Sequence, residues 1–117
     1  MSFKVIYVDD EFELCDLFQD IFSSPGVDVE VFVDHRAALE RISSAPPDLL
    51  FLDYRLPGTT GDELAQKVAR EIPKVLITGD LNISPTYEFQ EIFHKPFEID
   101  EIADLIRRYQ QNKIGKA

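Results

Sequence analysis

The sequence predicts an α/β protein built on a doubly wound, five-stranded parallel sheet in the order 2-1-3-4-5. Three observations carry that class. Short apolar runs alternate with segments of helical period five times along the 117 residues. Three of those runs, Val5 to Val8, Leu49 to Leu52 and Val75 to Ile77, are apolar without alternation, as central strands covered on both faces are. No internal repeat, low-complexity tract or Gly/Ser linker divides the chain, so it reads as one domain over residues 1–117. Repeated βα units with right-handed crossovers then place helices on both faces of the sheet.

The first strand, Val5 to Val8, ends at Asp9. Phe12, Leu14, Cys15, Leu17, Phe18, Ile21 and Phe22 recur at helical spacing until Ser24-Pro25-Gly26 breaks the pattern. In the second strand Val27, Val29, Val31 and Val33 alternate with Asp28, Glu30, Phe32 and Asp34, the period of a half-wet edge strand. A helix about Ala37, Ala38, Leu39 and Ile42 stops before Pro46-Pro47. The third strand ends at Asp53, Leu56-Pro57-Gly58 supplies turn chemistry, and Leu64, Ala65, Val68, Ala69 and Ile72 predict a third helix ending at Pro73. The fourth strand ends at Thr78-Gly79. A short helix candidate begun by Ser84-Pro85, a brief edge strand at Ile92 to His94, and a last helix with Ile99, Ile102, Ala103, Leu105, Ile106 and Tyr109 on one face complete the chain.

In this topology the site is expected at the carboxyl ends of the strands, near the switch between strands one and three. Strand one delivers Asp9 and Asp10 to that rim, strand three Asp53, strand four Thr78 and strand five Lys95. Each has a bland reading: turn former or helix cap for the acids, loop hydroxyl for Thr78, edge solubiliser for Lys95. Convergence on one rim argues against all of them at once. Three carboxylates and one ammonium leave an excess of negative charge, which a divalent ion bound by oxygens would cancel; Mg²⁺ suits one or two carboxylates plus waters and phosphate. No Cys/His pairs stand at ligand spacing, which argues against zinc. A metal, a fixed cation, a hydroxyl donor and a carboxylate nucleophile are the parts that phosphoryl transfer uses.

At these residues the chain resembles the receiver domains of bacterial two-component response regulators, over essentially its whole length. The resemblance rests on Val8-Asp9-Asp10-Glu11, on Leu52-Asp53-Tyr54-Arg55-Leu56-Pro57-Gly58 continuing to Gly61, on Ile77-Thr78-Gly79, and on Lys95-Pro96-Phe97. It implies a flavodoxin-like topology and a phosphoacceptor Asp53, loaded from a partner histidine kinase or histidine phosphotransfer protein. It further implies Mg²⁺ held by Asp10, Asp53 and the backbone carbonyl of Arg55, with Asp9 acting through water. Thr78 would hydrogen-bond a phosphoryl oxygen and Lys95 would pair with it, and the bond before Pro96 would be cis. Such a domain promotes its own phosphorylation and dephosphorylation without conventional turnover.

Two departures from the family pattern stand out. The stretch from Thr78 to Lys95 is short by more than one helical turn, so helix four is expected to be stunted or replaced by a loop. Ile92 stands where receivers usually place a Tyr or Phe, which predicts retained chemistry with altered switch coupling. Arg55 and Asp80 flank the entrance and form a candidate gate; two solvated charges are the plain alternative.

The composition bounds what else is possible. With 22 acidic and 12 basic side chains the net charge is −10, which argues against autonomous nucleic-acid binding. The single cysteine, Cys15, falls on an apolar stripe and reads as a small buried hydrophobe. No apolar stretch suits a membrane span or signal peptide, so a cytoplasmic location is expected. His35 and His94 carry no chemistry. The basic tail from Arg107 to Ala117, with Arg108, Lys113 and Lys116, suits a helix C-terminus or the start of a linker to an output domain. Competing readings are a degenerate receiver that acts as a phosphorylation-independent protein-binding module, a flavodoxin-like electron carrier, and a dehalogenase-like phosphatase. The acids of the first loop disfavour the carrier, and Arg55 two residues after Asp53 disfavours the phosphatase.

Overall fold

The computed structural model describes residues 2–115. The chain runs β1 (Phe3–Val8), α1 (Phe12–Phe22), β2 (Val27–Phe32), α2 (His35–Ser44), β3 (Leu49–Leu52), a small hairpin of β4 (Arg55–Leu56) and β5 (Thr59–Thr60), α3 (Gly61–Gln66), β6 (Lys74–Thr78), β7 (Glu91–His94) and α4 (Ile99–Gly115). The main sheet has the order β2-β1-β3-β6-β7 and every neighbouring pair in it is parallel. This is the predicted doubly wound topology, with the alternating strand at one edge and the short one at the other.

Register explains why the strand ends share a rim. Val8 lies beside Leu52 and Leu52 beside Leu76, so Asp9, Asp53 and the end of β6 leave the sheet at one level. Successive side chains on a strand alternate between faces. Val5 and Tyr7 of β1, Phe51 of β3 and Ile77 of β6 therefore pack under α1 and α4. Ile6, Val8, Leu50, Leu52 and Leu76 pack under α2 and α3. On the first face Phe18 is the hub, its ring 4.4 Å from Tyr7, 5.3 Å from Phe51 and 5.9 Å from Phe97. Phe97 follows a cis Lys95–Pro96 bond, as the resemblance implied, and its seat against Phe18 fixes where β7 hands Lys95 to the rim.

One element differs from its predicted extent, and a second resolves a stated alternative. The third helix does not run to Pro73: α3 ends at Gln66 and the chain continues in single turns, with the Val68 N–H donating to the Ala65 carbonyl and Ile72 to Ala69. Pro73 has no N–H to offer the Ala69 carbonyl, and the fully buried Lys74 satisfies the open carbonyls of this segment instead, its Nζ donating to those of Ala69 and Ile72 at 2.8 Å each. Of the two outcomes expected for helix four, stunted or replaced by a loop, the structure takes the second, and the helix candidate begun by Ser84-Pro85 does not form. Residues 79–90 make a loop, and Ile83, Tyr87 and Phe89 pack on the α2/α3 side of the core. Apolar residues at 83, 85, 87 and 89 follow a period of two, which suits extended chain rather than helix.

α4 extends through the basic tail to Gly115, and Lys113 of that segment pairs with Asp48 at 2.9 Å. Lys116 and Ala117 lie outside the described residues. No described helix is long and apolar enough to cross a membrane.

Candidate functional site

The two-residue turn of the β4–β5 hairpin sits immediately after β3. Pro57 presets φ at its first central position and Gly58 takes φ +78° at the second, as a type II turn requires. The hairpin returns the chain to Gly61, whose N–H donates to the Tyr54 carbonyl at 2.7 Å. A Cβ at Gly61 would lie 2.6 Å from the Asp53 carbonyl oxygen, so only glycine lets α3 start this close to the strand end.

Asp9 is fully buried. One of its oxygens accepts from the Tyr7 hydroxyl and pairs with Lys95 Nζ at 2.8 Å; the other accepts from the Glu11 N–H at 2.9 Å. Asp53 is 6% exposed, accepts from the Tyr54 N–H at 2.8 Å and lies 3.2 Å from Lys95 Nζ. Asp10 is exposed at the mouth, and carboxylate oxygens of Asp9, Asp10 and Asp53 lie within 4.8 Å of one another. Thr78 is buried, and its hydroxyl accepts from the Asp80 N–H at 3.1 Å. Arg55 Nε lies 2.7 Å from Asp80 Oδ2, so the two entrance charges form an ion pair. Asp10, Asp53, Arg55, Thr78, Asp80 and Lys95 line a cleft of about 570 Å³ with Glu11, Gly79, Leu81 and Asn82.

The site thus brings together Asp9, Asp10, Asp53, Arg55, Thr78, Asp80 and Lys95. Ile92 does not line it. Its side chain lies outward on β7 and is 43% exposed, whereas its neighbour Phe93 packs on the α1/α4 face.

Charge crowding shows in the acid–base properties. Burial, and then the Asp9 charge, push the Asp53 carboxyl up to about 6, while Lys95 and the Tyr54 N–H pull the other way. Burial opposes the Lys95 charge, but its hydrogen bond to Asp9 and the charges of Asp9 and Asp53 outweigh it and hold the ammonium above the usual lysine range. The Asn82 N–H, and then Arg55, hold the Asp80 carboxyl below the usual range. Burial and the Asp9 charge lift the Tyr7 hydroxyl far above the ordinary phenol, which keeps it a donor. Burial pushes the Cys15 thiol up to about 11, as befits a packed hydrophobe. The donor set around the three acids is all oxygen, which fits a hard divalent cation and offers nothing to a soft one.

Glu11, Tyr7 and Asp62 were not among the predicted site residues. Glu11 reaches Lys95 at 3.2 Å. Tyr7 stands two residues before Asp9 in a strand, and that spacing was the available signal that both share a face. Asp62 follows Gly61, is buried, and has no local pattern to mark it.

A doubly wound sheet with an oxygen-rich acidic cleft at its switch point, closed by one lysine and one hydroxyl, is the form of a phosphoacceptor domain. The sequence profile of the response regulator receiver domain matches residues 5–107. The chain is 28% identical to sporulation initiation phosphotransferase F of Bacillus subtilis (strain 168), covering 93% of this chain and 94% of that protein. It is 31% identical to the regulatory protein VanR of Enterococcus faecium, covering 95% of this chain but 53% of VanR. A CheY-like receiver domain protein from Methanospirillum hungatei JF-1 superposes with a TM-score of 0.87 over the full length of both chains, at 20% identity. This chain belongs to the response regulator receiver domain family of two-component systems.

Proposed function

We propose that Asp53 accepts a phosphoryl group from a phosphohistidine on a partner histidine kinase or histidine phosphotransfer protein. The observation that carries this is the setting of Asp53: a nearly buried carboxylate held by the Tyr54 N–H, 3.2 Å from an ammonium, with two further carboxylates in the same cluster. In the transfer an Asp53 oxygen bonds to phosphorus, the phosphorus–nitrogen bond of the donor breaks, and the departing imidazole keeps its electron pair. Lys95 neutralises the arriving oxygens and Thr78 donates its hydroxyl to one of them. Asp10, Asp53 and the Arg55 carbonyl would hold Mg²⁺, with Asp9 acting through water, and the ion would supply charge neutralisation to the phosphoryl group. The Arg55–Asp80 pair gates the approach of water to the acyl phosphate.

Altered output coupling belongs to the same reading. Ile92 has no ring to follow Thr78, and a packed loop stands where helix four would move. The domain acts in the cytoplasm, through a partner or output domain and without direct nucleic-acid contact of its own.

Incubation with Mg²⁺ and a small phosphodonor such as acetyl phosphate, followed by intact mass, tests the proposal. Wild type gains the mass of one phosphoryl group and Asp53→Asn does not. No gain by folded wild-type protein would favour the phosphorylation-independent binding module.

A further inference from the structure

The 79–90 loop is a strap tied at both ends. At its far end the Gln90 N–H donates to the Lys74 carbonyl at 2.8 Å, and Lys74 Nζ stands 5.3 Å over the Tyr87 ring. In its middle the Thr86 N–H and hydroxyl both donate to one oxygen of Asp62, at 2.7 and 3.1 Å. At its near end the Asn82 N–H donates to Asp80 Oδ1 at 2.9 Å, and Asp80 in turn meets Thr78 and Arg55 inside the cleft.

Asp62 is an expensive residue to keep. It is 6% exposed, its second oxygen has no hydrogen-bond partner, and among the described residues no cation pairs with it. A buried carboxylate in that state is costly unless its hydrogen bonds do something an apolar side chain could not. Its position supplies the reason. Asp62 directly follows Gly61, which is packed on the Asp53 backbone, and only Ile83, Ser84 and Pro85 separate Thr86 from Asn82.

We propose that Asp62 is a positioning residue: by clasping Thr86 it anchors the strap that carries Asp80 to the mouth of the acidic cleft. The clasp joins the acceptor side of the cleft, through Gly61, to its entrance side, through Asn82 and Asp80. It thereby links the cleft to the surface that lacks helix four by a route that does not use Ile92. Its effect on the lifetime of the acyl phosphate rests on the phosphoacceptor reading above.

The test uses the full chain, with amide shifts and hydrogen exchange read by NMR in the unphosphorylated protein. In Asp62→Leu the amides of Asp80 and Asn82 shift and the strap amides exchange about tenfold faster, as loss of hydrogen bonds to a charged acceptor implies. Thr86→Val moves the same amides in the same direction by less, and Thr86→Ser returns them to wild type. Where Asp62→Leu fails to fold, the Thr86→Val and Thr86→Ser pair decides. Unmoved Asp80 and Asn82 amides in Thr86→Val overturn the proposal. In the phosphorylated protein Thr86→Val alters the acyl-phosphate lifetime about threefold and Thr86→Ser restores it. A loosened strap with an unaltered lifetime also overturns the proposal, since a merely structural clasp would do the same. A wild-type chain that takes no phosphoryl group sinks the phosphoacceptor reading instead, and the clasp is then judged on the Asp80 amide alone.

Discussion

Asp53 is held between opposing forces. Burial and the Asp9 charge raise its folded-state pKa to about 6 from 3.8, while Lys95 and the Tyr54 N–H favour its ionised form. Its contribution to stability is therefore fully present below the unfolded value and is lost as pH rises through about 6. Asp53→Asn keeps the shape and removes the charge, so it is expected to stabilise the fold at neutral pH by on the order of 1–2 kcal/mol. The gain should fade as pH falls through that window. Thermal unfolding of both proteins across the window checks this, and a less stable Asp53→Asn at neutral pH would refute the account. At the entrance, Arg55 and Asp80 stand 2.7 Å apart. If they act as one gate, Arg55→Ala and Asp80→Ala change the dephosphorylation rate non-additively, and a double-mutant cycle on that rate reads the coupling. Strict additivity would leave two independent charges.

The elements around the site are placed by a few contacts that tolerate little change. Gly61 starts α3 against the Asp53 carbonyl, and a Cβ there would meet backbone rather than a flexible side-chain tip. Gly61→Ala is expected to cost about 1–3 kcal/mol by overpacking and to slow phosphoryl uptake, because relief of the clash must move the acceptor strand end. Chemical denaturation and the rate of mass gain measure both effects. Lys74 performs the matching service for the irregular chain after α3. Lys74→Met fills a similar volume but removes the ammonium from the Ile72 carbonyl and leaves the Ala69 carbonyl with the Ile72 N–H alone, an expected loss of about 1–3 kcal/mol. A variant as stable as wild type would show that those carbonyls are satisfied without the ammonium.

At the scale of the whole molecule, the net charge of −10 is spread over the surface with a small part concentrated in the cleft. A cation that binds only the folded cleft stabilises by mass action, by about 2.7 kcal/mol at a hundredfold excess over its dissociation constant. Mg²⁺ is therefore expected to raise the unfolding midpoint of wild type and to raise that of Asp10→Asn much less; equal shifts would place the ion elsewhere. The sheet order was legible because strands that are apolar on both faces must be central, and the alternating run Val27 to Val33 had to lie at an edge. The rim residues were legible as well, since each lies at or just past the carboxyl end of an apolar run. Period along the chain reports which face a residue occupies, but not which distant segment it meets. That is why Asp62 holding Thr86, 24 residues away, was hidden. The amino-acid sequence by itself determined the layers, the strand order and the residues delivered to the rim, because these follow from local periodicity and chain connectivity. Only the tertiary structure decided how Asp62 is paired and what stands in place of the fourth helix, because both depend on contacts between segments remote in the chain, and it alone decided how far the third helix runs, because the apolar period continues past the last helical turn.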